Sequence, residues 1–216
     1  MMAPQTKPAT KPEAKPAAKQ PAKAAPSKPG EAAKAGAAKP ADIEKKAIAR
    51  IEAAGGSVRK VAQNDERLEV DFHLQGPSVA DEPLAALKDL KDVVYLHLGN
   101  TSVTDAGLAQ LAALGGLITL HLEKTKVTDS GLKHLRNLKN LTYLNLYGTA
   151  VTDAGLANLK DLAKLEKLFL WQTKVTKAGV DELRKTLAKT DINTGAEMEA
   201  AAAAKPDPAS QKKEAK

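Results

Sequence analysis

No cysteine occurs in the 216 residues, which excludes disulfides, thiolate metal centres and thiol nucleophiles and leaves the redox compartment open. Aromatic residues make up only 3% of the chain, so an ordinary aromatic-filled core is excluded as well. No apolar run reaches the roughly 18 residues that a membrane-crossing helix needs. The N-terminus carries lysines with no apolar stretch behind them, so no signal peptide is visible. These absences favour the cytoplasm, with export after loss of a leader absent from this sequence as the alternative. Catalytic phrases are missing too: there is no G-x-S-x-G, no H-E-x-x-H, no phosphate-binding glycine loop and no dinucleotide fingerprint. A non-enzymatic protein without a cofactor is therefore expected.

What is present is charge, unevenly placed. The formal charge is +7. Residues 1–40 hold eight lysines against two glutamates, a balance of +6, and residues 199–216 hold four lysines against three acids, a balance of +1. The stretch 41–198 is left electrically neutral. The basic character belongs to the tails.

The composition divides the chain into regions. Residues 1–40, "KPATKPEAKPAAKQPAKAAPSKP" and its surroundings, are Lys/Ala/Pro low complexity. They have little apolar bulk to offset ordering entropy and many prolines that block regular helix, so disorder is expected. Residues 199–216 read the same way. Residues 41–67 form an N-terminal cap. Asp42 is placed to cap a helix with the apolar stripe Ile43, Ala47, Ile51 and Ala54, ended by Gly55. Two short strands joined by "QNDER" follow.

Residues 68–198 repeat. Leu98, Leu122, Leu146 and Leu170 are spaced by 24, as are Thr101, Thr125, Thr149 and Thr173, and Gly107, Gly131, Gly155 and Gly179. A fixed period in this range means stacked units, since one unit cannot bury its own apolar faces. In "LTYLNL" Leu144 and Leu146 alternate as one face of a strand does. In "VTDAGLANLKDL" Val151, Leu156, Leu159 and Leu162 fall at helical spacing. Thr152 is a natural N-cap, and Asp153 sits where the helix dipole favours an anion. Gly155 is costly in a helix, so it marks a close approach of the neighbouring coil.

Counting back by 24 from Leu98 reaches Leu74, and "SVADEPLAAL" matches "SVTDAGLAQL" with Pro83 where glycine recurs. This makes 68–90 a degenerate first unit. At the other end Ile192 aligns with Leu168 while Thr194 replaces the second strand leucine, so a last short strand is expected there. Lys177 replaces the helix-start aspartate in the final unit.

The phrase "LTYLNLYGTAV" resembles the leucine-rich repeat L-x-x-L-x-L-x-x-N/C-x-L, with Thr149 and its equivalents in place of the usual Asn or Cys. The continuation "VTDAGLxxL" is similar to a bacterial subclass abundant in planctomycete-type proteins. That subclass often opens with a helix ending in "GG", as "AIARIEAAGGSV" does. The resemblance covers about residues 43–194. It implies an α/β leucine-rich repeat solenoid: a short parallel sheet on the concave face, helices on the convex face, and a capping helix with short strands at the N-terminus. The resemblance is weak for function, because this fold carries many functions; a protein-binding module, monomeric and without a membrane span, is expected.

Strand positions between the leucines face outward. At a spacing of 24 they form three columns: Asp71, Tyr95, Thr119, Tyr143 and Lys167; His73, His97, His121, Asn145 and Phe169; Gln75, Gly99, Glu123, Tyr147 and Trp171. Five of the six aromatic residues lie here, and Phe72 alone points inward. Tyr95, Tyr143, Asn145, Tyr147, Lys167, Phe169 and Trp171 are the expected partner-binding residues, because Tyr and Trp clusters dominate interface energetics. The competing reading has the same rings shielding the last rungs. His73, His97 and His121 are candidate zinc or nickel ligands, weighed against ordinary solvated strand residues. His134 is assigned no role. The tail lysines Lys7, Lys11, Lys15, Lys19, Lys23 and Lys28 could hold nucleic acid or another polyanion, as the similar basic tails of linker-histone-like proteins do. A soluble spacer is favoured, because no arginine or aromatic residue is interleaved with them.

Overall fold

A computed structural model describes residues 39–195. The readings of 1–38 and 196–216, including the tail lysines, lie outside the described residues.

Helix α1 spans Pro40–Ala53. It starts on Lys39 with Pro40 in its first turn, rather than on a side-chain cap from Asp42. Proline serves here because its missing N–H would be unpaired at that position anyway. Asp42 instead lies within the first turn, where the dipole favours it. Ala47 and Ile51 are buried, while Ile43 is exposed. The helix stops at Gly55, which takes φ 83°. Gly55 N–H bonds Glu52 O, and Gly56 N–H bonds Ile51 O, the paired bonds of a Schellman close.

Strands β1 (Ser57–Ala62) and β2 (Asp65–Asp71) form an antiparallel hairpin. From β2 onward the sheet is parallel, in the order β1 to β7: β3 Val93–His97, β4 Thr119–His121, β5 Tyr143–Asn145, β6 Lys167–Phe169 and β7 Asp191–Asn193. One strand per coil stacks in register, so Leu96, Leu120, Leu144, Leu168 and Ile192 form one inward column. Leu98, Leu122, Leu146 and Leu170 form a second, and all nine are buried.

Opposite the sheet each coil carries a short helix: α2 Asp105–Leu111, α3 Asp129–Leu132, α4 Asp153–Leu156 and α5 Lys177–Thr186. In the middle coils the single α turn passes into a 3-10 turn, Lys133–Asn137 after α3 and Ala157–Leu159 after α4. The first unit uses a 3-10 helix alone, Glu82–Asp89, with Pro83 near its start.

The expected first rung is corrected by two residues. Glu69 pairs with Tyr95, Val70 with Leu96 and Asp71 with His97, a separation of 26 and not 24. Phe72, not Leu74, fills the inward position equivalent to Leu98. It is 1% exposed, whereas Leu74 is 81% exposed. Farther along, Ser102 N–H bonds Val79 O, so the 24-residue spacing is restored. Two extra residues are absorbed in the 3-10 segment His73–Ser78, which turns through Gly76 at φ 57°.

Three polar devices recur, two within each coil and one between coils. The hydroxyls of Thr101, Thr125, Thr149 and Thr173 each donate to the carbonyl three residues earlier, at 2.6–2.7 Å. These bonds stay within one coil, as expected of threonine in place of asparagine. Thr104, Thr128, Thr152 and Thr176 cap α2 to α5. Each of these threonines also donates its backbone N–H and its hydroxyl to the aspartate at the equivalent helix start one coil earlier: Asp81, Asp105, Asp129 and Asp153. A Cβ at Gly107, Gly131, Gly155 or Gly179 would collide with those carboxylates, which identifies the close approach that the recurring glycine permits. Lys177 stands where the next aspartate would be.

Candidate functional site: the outer face of the sheet

Register fixes the outward columns. The first runs Glu69, Tyr95, Thr119, Tyr143, Lys167, Asp191 and the second runs Asp71, His97, His121, Asn145, Phe169, Asn193. Beyond the strands, backbone bonds from Asn100 to Glu123, Lys124 to Tyr147 and Gly148 to Trp171 align Gly99, Glu123, Tyr147 and Trp171 as a third.

The rings on this face touch. His97 and His121 stack with centroids 4.4 Å apart and planes 15° apart. His121 meets Tyr143 at 4.8 Å, and Tyr143 meets Phe169 at 5.3 Å, both tilted. A continuous ribbon of four rings therefore crosses β3 to β6. Beside it Tyr147 and Trp171 meet at 5.3 Å, with Lys124 Nζ 5.5 Å from the Tyr147 centroid. All six rings are partly exposed. A Cβ at Gly195 would sit on the Trp171 indole, so the glycine leaves room for it. Trp171 thus packs on the last described coil and also presents an open surface.

Of the expected partner-binding residues, Tyr143 touches Phe169 and Tyr147 touches Trp171, two neighbouring pairs. Asn145 lies between them, and its Oδ1 accepts from Tyr147 N–H at 3.1 Å. Tyr95 and Lys167 lie in the first column outside the ring contacts, Lys167 exposed. The ribbon itself was not expected: the columns place His121 and Tyr143 on different lines, and only side-chain lengths let the rings bridge the diagonal.

The histidine column is corrected. His73 is not on a strand; it begins the 3-10 segment and binds Asp71 Oδ1 through both its N–H, at 2.8 Å, and its ring, at 2.6 Å. His97 and His121 stack face to face. Ring lone pairs lie in the ring plane, so the nitrogens of stacked rings do not converge on a shared ion. Among the described residues no cluster of three His, Asp or Glu side chains could hold a metal.

The N-terminal half of the face carries the ionisable groups. His97 Nε2 lies 3.7 Å from Glu69 Oε1, and His121 Nδ1 lies 3.4 Å from Glu123 Oε2. Burial holds His97 below the ordinary histidine value, and the charge of His121 adds to this against the pull of Asp71, Glu69 and Glu123. Burial works to raise Glu123, yet the His121 imidazole beside its carboxylate and its own backbone N–H leave it below the usual carboxylate range. Asp71 is lowered likewise, burial being outweighed by the two bonds from His73. Tyr143 is raised, by burial first and then by Glu123. The face thus combines an anionic half with a half built of exposed rings.

No family model and no curated protein matches this chain. Among solved structures, an internalin C2 from Listeria monocytogenes is 22% identical, with 51% of this chain and 55% of that chain covered and a TM-score of 0.41. A leucine-rich repeat protein from Leptospira interrogans is 22% identical over 52% of this chain and 33% of its own, at a TM-score of 0.37. A TDR receptor is 17% identical over 50% of this chain and 19% of its own, at 0.40. This chain spans little more than half the length of the first of these and less of the others. The one-strand coil repeating in parallel register, with leucines inward and a helix opposite each strand, decides the architecture. The fold is a leucine-rich repeat solenoid. Its sheet face is the concave side, its helices the convex side. No described helix is long and apolar enough to cross a membrane.

Proposed function

We propose that this chain is a non-catalytic, monomeric binding module that engages a protein partner through the concave face, centred on Tyr147, Phe169 and Trp171. One observation carries the reading: the chain spends five of its six aromatic residues on that face while leucine and valine fill the core. Partly exposed rings in mutual contact give large contact area at small entropic cost, the usual chemistry of an interface centre. A shallow open sheet excludes water poorly, which argues for binding over catalysis. The "VTDxGL" phrase is read as the bacterial subclass noted above. The segment 1–40 is read as a spacer, and its +6 charge keeps polyanion binding as the rival role.

The experiment compares capture from the native host by the wild type, by a Tyr147→Ala/Trp171→Ala variant and by a convex-side Lys133→Ala/Lys160→Ala variant, each shown to be folded by its melting curve. A partner retained by the convex variant and lost by the concave one supports the reading. A partner held equally by all three, or one lost with salt and with deletion of 1–40, overturns it.

A further inference from the structure

The anionic half of the concave face has a feature that docking alone does not need. His97 and His121 stack at 4.4 Å, yet each has its own carboxylate, Glu69 for one and Glu123 for the other. These carboxylates are not equivalent. Glu69 on β2 is already bonded by Arg59 of β1 at 3.0 Å. Glu123 has no lysine or arginine partner among the described residues, and its Oε2 is closed to solvent without a well-formed hydrogen bond. Gly99 gives the Glu123 side chain its place, since a Cβ there would strike it. The other ionisable groups around the pair are Asp71, bonded to His73, and the phenols of Tyr95 and Tyr143. A proton entering this cluster finds an unpaired acceptor only beside His121. A second proton on His97 would face the first across stacked rings, with little water between to screen it.

Glu69 and Asp71 on β2 and Glu123 just past β4 lie on this face, and its two arginines, Arg59 and Arg67, are already paired with Glu69 and Asp65. A partner segment seated over these carboxylates is complementary when it carries positive charge. We propose that the stacked pair is a single-proton switch on this face: acidification places one proton on His121 against Glu123, leaves His97 neutral, and releases a cationic segment of the partner. This rests on the docking role of the concave face. The lowered value of His97 agrees with it, because burial and a charged His121 both disfavour a second proton.

The full-length protein is titrated from about pH 8 to pH 5, following the imidazole signals by NMR. The switch predicts that His121 takes the proton while His97 resists. It also predicts that His121→Gln raises the midpoint of His97, and that Glu123→Gln lowers the midpoint of His121. Midpoints at His97 and His121 that ignore each other's replacement overturn it, whatever the partner. Acetyl-arginine amide then serves as the cationic probe. It should perturb backbone amides of β2 to β5 and bind about fivefold more weakly at the acid end, a dependence lost in His121→Gln. Equal binding at both pH values, or no binding at either, removes the release of a cationic group from the proposal. Failure of the docking role leaves the imidazole titration unchanged, so the two readings fail separately.

Discussion

The carboxylate of Asp129 accepts two hydrogen bonds from Thr152 of the next coil, from the backbone N–H at 2.7 Å and from the hydroxyl at 2.6 Å. The same hydroxyl accepts from Ala154 N–H at 3.3 Å, so the start of α4 is tied through threonine to the coil before it. Four such links run from Asp81 to Thr176. Asp129→Ala should cost about 1.5–3 kcal/mol, in the range of hydrogen bonds to a charged group. Thr152→Val should cost about 0.5–2 kcal/mol as a lost cap. The double variant should lose less than the sum, because the two changes remove one shared contact. Additive losses in denaturant titrations would contradict the ladder.

Gly155→Ala tests the same link from the other side. Helix propensity alone predicts a gain of about 1 kcal/mol. The structure predicts a loss of about 1–3 kcal/mol, because the new Cβ meets the Asp129 carboxylate. In an Asp129→Ala background that loss should shrink, and chemical denaturation measures both.

Leu144→Ala should cost about 2–5 kcal/mol, since the side chain is 0% exposed in a middle rung. Asn145→Ala should cost about 0.5–1.5 kcal/mol, the value of the single bond its Oδ1 accepts from Tyr147. Equal losses would mean that the strand register is wrong.

Stability should decline in mild acid. His97 binds a proton less readily when folded, held down by burial and then by His121, so the unfolded chain takes up more protons as pH falls. The stabilisation is complete above the unfolded value of about 6.5 and is lost as pH falls through the lower folded value. Asp71 and Glu123, also lowered, add a further loss at more acidic pH, below the ordinary carboxylate values. Melting temperatures across this range should show the first decline in the wild type and a weaker one in His97→Gln.

Much of this was legible in the sequence because the period is strict. Leucines every 24 residues placed the core, and Gly155 marked a close contact. The first rung was misplaced because the period was carried through His73–Ser78, where two additional residues leave no trace in the helix phrase that follows. The aspartate–threonine ladder was present as two recurring residue types, read separately as dipole and cap. Its signal was their shared recurrence, together with Lys177 where the ladder ends. Glycine in the first turn and the shift to 3-10 geometry cut the α segments of the middle coils to one turn. The ring ribbon depends on how far side chains reach between columns, which spacing does not encode.

The proposed function seats the partner on the Tyr147–Trp171 patch. Trp171 is the only tryptophan, so its emission reports the patch alone. In the free protein the partly exposed indole should be quenched by acrylamide to an intermediate degree. Once the partner is captured, the emission should shift to the blue and be clearly protected from quencher as the ring is covered. Unchanged emission and unchanged quenching in the complex would contradict it.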